Sequence, residues 1–282
     1  MSMPAEVYTG APLPIDVVSI QSQVIYGGVG NNAAVPTLQA HGLTVAAVPT
    51  VLLSNTPHYP SLYGGAIPLD WLRGYLQALR ERGGLRTLRA VLMGYLGGAE
   101  QVDALTEWLD QLHAEQPQVP VVIDPVIGDH DSGVYVDPAM IRHYREQLLP
   151  HAHGLTPNGF ELGCLSGLSV ENLDQVVIAA RSIMGPRAQW VVVTSAAPAH
   201  CDFNRIQVAV VTPDEVHIVR HAKVARAPKG TGDLFSAELT ARLLEGQPLL
   251  PAVRQACRRV MSTIRNSNAV GSGELLLRRK KV

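Results

Sequence analysis

Lys229-Gly230-Thr231-Gly232-Asp233-Leu234-Phe235 joins a strand-like region ending near Ala225 to a helical pattern that runs to Leu244. Two glycines around a threonine leave an open backbone. The amides that begin the helix are then accessible and, with the positive end of the helix dipole, form a site for an anion. Asp233 is the odd member, because a carboxylate repels phosphate, and it reads two ways. Capping the helix is the commoner use of Asp at such a start. As a general base it would instead take the proton of an attacking hydroxyl while the backbone stabilises a transferring phosphoryl group.

The same order of strand, turn and helix recurs through the chain before this stretch. Residues 17 to 20 read as a buried strand, followed by a Gly-rich turn and a helix over 32–39 closed by Gly42. Val45 to Val48 is a second strand, and residues 54–65 form a loop rich in Pro, Gly and Tyr. Helical runs at 69–82 and 100–113 lead into apolar strands at 90–93 and 121–123. Helices near 138–149 and 172–184 precede Gly154-Leu155-Thr156 and the strand 190–194. Residues 205–211 and 215–220 read as antiparallel strands, and helices at 233–245 and 251–266 end the chain. This alternation predicts an α/β fold with a central, mostly parallel sheet flanked by helices on both faces. In such a sheet ligands bind outside the carboxyl ends of the strands. Ser19–Ser22, Thr50, Gly94-Tyr95, Asp124, Thr156–Glu161, Thr194-Ser195 and Lys229–Asp233 all fall there.

A chain of 282 residues with 46% hydrophobic content is read as one domain, with flexible ends at the Pro-rich leader (1–15) and a basic tail (277–282). Net charge is −1 with scattered positive residues, which argues against a nucleic-acid or membrane-surface partner. Three separated cysteines, no secretory leader and no long apolar run point to a reducing cytoplasm.

Asp124 ends an apolar strand, and Asp129 lies beyond a turn. Such carboxylates suit Mg²⁺, usually through water, while a turn role also explains Asp129. In Thr156-Pro157-Asn158-Gly159-Phe160-Glu161, Asn158 and Glu161 match a capping box, yet a second acidic strand end beside Asp124 also fits the same metal. Between Asp16 and Asp70 there is no Asp, Glu, Lys or Arg, so a pocket built from this span suits an uncharged aromatic ring. His58 there reads more readily as an ordinary loop histidine. Gly28-Val29-Gly30-Asn31-Asn32-Ala33 matches the dinucleotide fingerprint in form, but the acidic residue expected about 20 positions on is missing. These glycines are therefore read as a turn allowing close approach of substrate, and no P-loop is present.

In this order, Ser19-Ile20-Gln21-Ser22, Gly30-Asn31, Ser54-Asn55-Thr56-Pro57-His58-Tyr59, Gly94-Tyr95, Asp124–Asp129, Tyr135-Val136, Thr156–Glu161, Val193-Thr194-Ser195 and Gly230–Asp233 resemble the pyridoxal kinases of the ribokinase superfamily. The likeness spans about Val17 to Leu276, and the Ser-Asn-Thr-Pro-His-Tyr form is similar to that of bacterial members accepting pyridoxine, pyridoxal and pyridoxamine. It implies a ribokinase-like fold and ATP-dependent phosphorylation of the 5′-hydroxymethyl group of a B6 vitamer. Asp233 would be the base, with Gly230, Thr231 and Gly232 stabilising the phosphoryl group. Ser22, Val29, Asn55, His58 and Tyr95 would contact the vitamer. Asp124, Tyr135, Asn158, Thr194, Ser195, Lys229, Thr231 and Gly232 would meet ATP, with Tyr135 on a flap. Asp124, Asp129, Thr156 and Glu161 would manage Mg²⁺, with a potassium-like ion nearby, in a homodimer. Gly159 within the Thr-Pro-Asn motif is less typical. Hydroxymethylpyrimidine kinase and a non-catalytic vitamer-binding module are the competing readings.

Overall fold

In the strands, successive side chains serve opposite faces of one sheet. Val91, Met93, Val121, Ile123, Val191 and Val193 belong to one apolar core, while Ala90, Leu92, Val122, Trp190 and Val192 belong to a second. Both faces are therefore covered, as a period of two in fully apolar strands requires. The structure, a computed structural model, describes residues 10–202 and 204–277, so the first nine residues of the leader and all of the basic tail after Leu277 lie outside the described residues.

The chain runs β1 (Val17–Val24), α1 (Asn31–Gln39), β2 (Val45–Leu53), β3 (Gly64–Ala66), α2 (Leu69–Glu81), β4 (Ala90–Met93), α3 (Ala99–Glu115) and β5 (Val121–Ile123). It continues through a hairpin of β6 (Gly128–Asp129) and β7 (Gly133–Val134) to α4 (Ala139–His143), β8 (Gly154–Leu155), α5 (Gly159–Ser166) and α6 (Leu173–Ser182). Then come β9 (Trp190–Val193), β10 (Arg205–Val211), β11 (Val216–Ala222), α7 (Thr231–Leu244) and α8 (Leu249–Ala269). Nine strands form one sheet in the order β11-β10-β9-β8-β5-β4-β1-β2-β3. β9, β8, β5, β4, β1 and β2 are parallel neighbours, and β3, β10 and β11 add antiparallel edges. The strand order turns back at β1, which lies between β2 and β4, and this is the switch point beside which α/β folds bind ligands. Helices α2, α3 and α6 pack on the first core, and α1, α7 and α8 on the second. No described helix is long and apolar enough to cross a membrane.

Two expected strands are longer than their apolar runs. β1 continues through Gln21-Ser22-Gln23 and β2 through Thr50, with a register shift between Gln21 and Gln23. Polar residues persist there because they satisfy one another. Gln21 Nε2 donates to Ser19 Oγ (2.8 Å), Ser19 Oγ donates to Asn31 Oδ1 (2.8 Å), and Asn31 Nδ2 donates to the Gln21 carbonyl (3.2 Å). The helix expected over 138–149 is broken into α4, a π-turn over Tyr144–Leu148 and a 3-10 turn over Leu149–His151 that contains Pro150.

Just beyond α1, His41 is bound by Glu238 (3.2 Å) and Glu245 (2.6 Å) at the far end of α7. The clamp holds together the two helices whose N-termini form the site described below. Hydrogen bonding to Glu238 raises the His41 pKa above 6.5, burial opposes this, and Glu245 adds to it. A raised histidine pKa contributes stability that is complete below the unfolded value and is lost as pH rises through the folded one. His41→Gln is therefore expected to cost about 1 kcal/mol at pH 5.5 and clearly less at pH 9, a difference checked by urea unfolding at the two pH values.

Candidate active site

α7 begins directly after Gly230, which provides no side-chain cap, so Asp233 is the third residue of the helix and not its cap. Backbone amides of the first turn are left open for an anion. Gly230 has φ +94°, and a Cβ there would overlap the carbonyl oxygen of Gly28. Gly30, which caps α1, has φ +54°, and its Cβ would overlap Ser22. Close contact of these two glycine turns brings the α1 and α7 N-termini together. Burial pushes the Asp233 pKa up, and the nearby Gly30 amide opposes this without cancelling it.

Asp124, at the end of β5, lies against Gly232. Burial first, and the charge of Asp233 second, push its pKa up to about 7. Ser236, one turn beyond Asp233, donates its hydroxyl proton to Asp124 Oδ2 (2.9 Å) or to the Gly232 carbonyl (3.0 Å). Thr156 Oγ1 lies 2.9 Å from the same Ser236 oxygen. Glu161 completes the capping box of α5 with Asn158, its Oε2 accepting from the Asn158 amide (2.8 Å). Its Oε1 accepts from the amides of Ile127 (3.1 Å) and Gly128 (3.5 Å). Burial and the charge of Asp124 raise its pKa, and these three amides oppose the rise.

The β6–β7 hairpin forms a small flap beside these acids. Tyr135 follows it, anchored by its amide to the Ile127 carbonyl (3.1 Å). Tyr135 remains 46% exposed, yet partial burial and the charges of Glu161, Asp124, Asp129 and Asp233 all push its pKa up. Asp129 caps the flap turn by accepting from the Asp131 and Ser132 amides, and its Oδ2 pairs with Lys229 Nζ at 3.0 Å. Burial would raise the Asp129 pKa, but Lys229 and the Ser132 amide outweigh it and the net shift is downward. Asn158 Nδ2 donates to the Gly128 carbonyl (2.8 Å), tying the flap to α5. Thr194 bridges to Asn158 at the end of β9, and a Cβ at Gly159 would come 3.0 Å from the Ser195 carbonyl oxygen. That close approach accounts for glycine in the Thr-Pro-Asn motif. Ser195 itself has φ +47°.

On the other side of the switch point, Ser22 is buried in β1 and Val29 is half-buried in the turn behind it. Tyr95 follows β4, with its carbonyl accepting from Thr50 Oγ1 (2.6 Å) and its phenol pKa raised by burial. Asn55 is spent within its own loop, where its Nδ2 donates to the Thr56 (3.0 Å) and Ser61 (2.8 Å) carbonyls. These bonds fix the shape of the loop. His58 Nδ1 lies 2.7 Å from Thr56 Oγ1, and its exposed ring rests on Tyr59.

Among the described residues, no three His, Cys, Asp or Glu side chains form a ready-made chelate. The donor set nevertheless suits a hard cation. Asp124, Asp233 and Glu161 are carboxylates raised by burial, and a positive charge beside them would relieve that strain.

A family model described as phosphomethylpyrimidine kinase matches residues 25–278. The pyridoxine/pyridoxal/pyridoxamine kinase of Bordetella bronchiseptica is 58% identical over 267 residues, which cover 95% of this chain and 94% of that one. The chain belongs to the pyridoxal kinase family. A solved pyridoxal kinase of Leishmania donovani, in complex with ADP and pyridoxine, aligns with TM-score 0.81 at 31% identity over 93% of this chain and 90% of that one. The pyridoxal kinase of Entamoeba histolytica shares the fold, with TM-score 0.85 at 22% identity over 93% and 92% of the two chains.

Against this pyridoxal kinase background, Ser236 and Glu274 are residues that motif reading passed over. Ser236 carried a weak signal, as a hydroxyl three positions after Asp233 in an otherwise apolar helix start. Glu274 carried none, because its partners lie more than 200 positions away.

Proposed function

We propose that the chain transfers the γ-phosphoryl group of ATP to the 5′-hydroxymethyl group of a B6 vitamer, namely pyridoxal, pyridoxine or pyridoxamine. The observation that carries this reading is Asp233, a half-buried carboxylate of raised pKa on the uncapped first turn of α7, with Asp124 beside it. In the step proposed, the acceptor hydroxyl gives its proton to Asp233 as its oxygen bonds to the γ-phosphorus. The bond from that phosphorus to the β-bridging oxygen breaks, and ADP leaves with the electron pair. A pKa raised by burial makes Asp233 a stronger proton acceptor than an ordinary carboxylate. The first-turn amides of α7 meet the charge on the transferring oxygens, where fixed dipoles need no reorganisation.

Lys229, Asn158, Thr194 and Ser195 rim the nucleotide side under this reading, with Tyr135 and its flap above them. Lys229 would exchange Asp129 for phosphate. Asp124 would hold a Mg²⁺ ion directly and Glu161 would do so through water, since its oxygens are already engaged by amides. When bound, the ion would supply positive charge that offsets the charge of the nucleotide phosphates. On the acceptor side, Ser22, Val29, Tyr95 and the His58 loop enclose an uncharged ring.

A second reading, hydroxymethylpyrimidine phosphorylation, is favoured by the description of the family model that matches residues 25–278. Incubation with ATP and an equimolar mixture of pyridoxal, pyridoxine, pyridoxamine and hydroxymethylpyrimidine, followed by mass spectrometry, separates the two. The expected products are 5′-phosphorylated vitamers in excess. A clear preference for the pyrimidine would replace the acceptor, and ADP formation indifferent to every alcohol would remove the kinase reading.

A further inference from the structure

Glu274 lies on the segment after α8, far in sequence from every motif above, yet it is 8% exposed and both of its carboxylate oxygens are engaged. Oε2 accepts from the Gly28 amide at 3.1 Å, and Oε1 accepts from the Tyr59 hydroxyl at 2.6 Å. The segment carrying it is firmly seated. The Leu276 amide donates to Ser267 Oγ of α8 (2.9 Å), and Leu275 is buried against Leu234 and Ile264. Leu234 is the neighbour of Asp233. A Cβ at Gly28 would come 2.7 Å from the Leu275 carbonyl oxygen, so this segment also sets the path of the Gly28–Gly30 turn. That turn touches Gly230 and brings the Gly30 amide near Asp233.

Tyr59 belongs to the loop that carries Asn55 and His58, and its ring is held between His58 (centroids 4.3 Å apart) and Tyr26 (5.8 Å apart). The bond to Glu274 raises the Tyr59 pKa to about 12, so its phenol stays protonated and able to donate throughout the physiological range. One carboxylate thus joins the loop over the acceptor pocket to the turn behind the proposed base.

We propose that Glu274 is a positioning residue, which latches the loop of residues 54–63 over the acceptor pocket through Tyr59 and fixes the Gly28–Gly30 turn behind Asp233 through the Gly28 amide. This rests on the kinase reading above. Because Gly28 can only donate whereas a phenol can also accept, glutamine at this position retains both contacts in neutral form. Its oxygen faces Gly28 and its amide donates to Tyr59.

The test combines steady-state kinetics with hydrogen exchange on the full chain for Tyr59→Phe, Glu274→Gln, Glu274→Ala and the Tyr59→Phe/Glu274→Ala double variant. Tyr59→Phe is expected to raise KM for the vitamer about tenfold with KM for ATP unchanged, the scale of one lost hydrogen bond to a charged group. Glu274→Ala should do the same and also lower kcat, since it frees the turn behind Asp233, while Glu274→Gln stays within about threefold of the parent. In the double variant Tyr59→Phe should add nothing to Glu274→Ala, because both cut the same bond. Exchange in residues 54–63 should quicken in Tyr59→Phe and Glu274→Ala, and exchange at Gly28 only in Glu274→Ala. Lower thermal stability with both KM values unchanged would make Glu274 a purely structural tie and overturn the proposal, as would additive effects on KM or unchanged exchange. A parent chain that phosphorylates no vitamer marks failure of the kinase reading instead, and the exchange data still decide whether the latch exists.

Discussion

Asp233→Asn keeps the fold and lowers turnover of the vitamer by about 10²- to 10⁴-fold, the range for loss of a general base. Asparagine has nearly the same shape and retains an oxygen for the Gly30 amide, so the α7 N-terminus keeps its contact with α1. What is lost is the ability to take a proton. The substitution also removes the charge that helps to push up the Asp124 pKa, and it removes a carboxylate that burial disfavours. Thermal stability without ligands is therefore expected to equal or exceed that of the parent. Such a gain in stability with a loss of activity marks a site strained for function. In the parent, kcat/KM falls as pH drops through the Asp233 pKa, because a protonated carboxyl accepts no proton. Since that pKa is raised, the acid limb lies above the ordinary carboxylate range of about 4. Measured under saturating ATP and vitamer, a variant retaining near-parental kcat would remove Asp233 from the role of base.

Gly230→Ala is expected to lower kcat by at least about 10²-fold, the scale of losing preorganised donors to a transferring group, and to destabilise the fold by about 2–4 kcal/mol. Two effects combine. At φ +94° an L-residue is strained, and its Cβ would overlap the Gly28 carbonyl oxygen, so the two glycine turns must part. Parting moves the first-turn amides of α7 away from the Gly28–Gly30 turn and loosens the Gly30 contact with Asp233. Gly246→Ala is the matched control, with φ +82° and nothing within 4 Å of the added Cβ. It should cost only the backbone strain, about 1–2 kcal/mol, and leave kcat alone. Urea unfolding and steady-state kinetics of the pair separate backbone strain from loss of the cradle. Equal behaviour of the two variants would show that close packing of the turns has no bearing on catalysis.

How much of this was legible in the chain depends on the range of the interaction involved. Apolar runs and their breakers determined the parallel sheet and its order of elements, because a strand buried on both faces and a helix with one apolar face differ in local pattern. The strands over 90–93 and 121–123 were read to the residue. Strand-end polar groups also located the cleft, since a parallel sheet directs its carboxyl ends one way. Patterning stopped too early in β1 and β2. There Gln21, Ser19 and Asn31 satisfy one another, and polarity in sequence did not mean exposure to water.

Roles within the cleft were another matter. Asp233 as cap or as base was an open choice in sequence. Only the tertiary structure placed Gly230 at the cap position and brought Asp124 alongside, because their meeting depends on the contact of two glycine turns some 200 residues apart. Asn55, expected at the vitamer, also ties its own loop through the Thr56 and Ser61 carbonyls, while Glu274 had no motif and joins that loop to the turn behind Asp233. Local periodicity determines which faces a segment must bury. Which distant donor meets which acceptor is decided only when those faces pack.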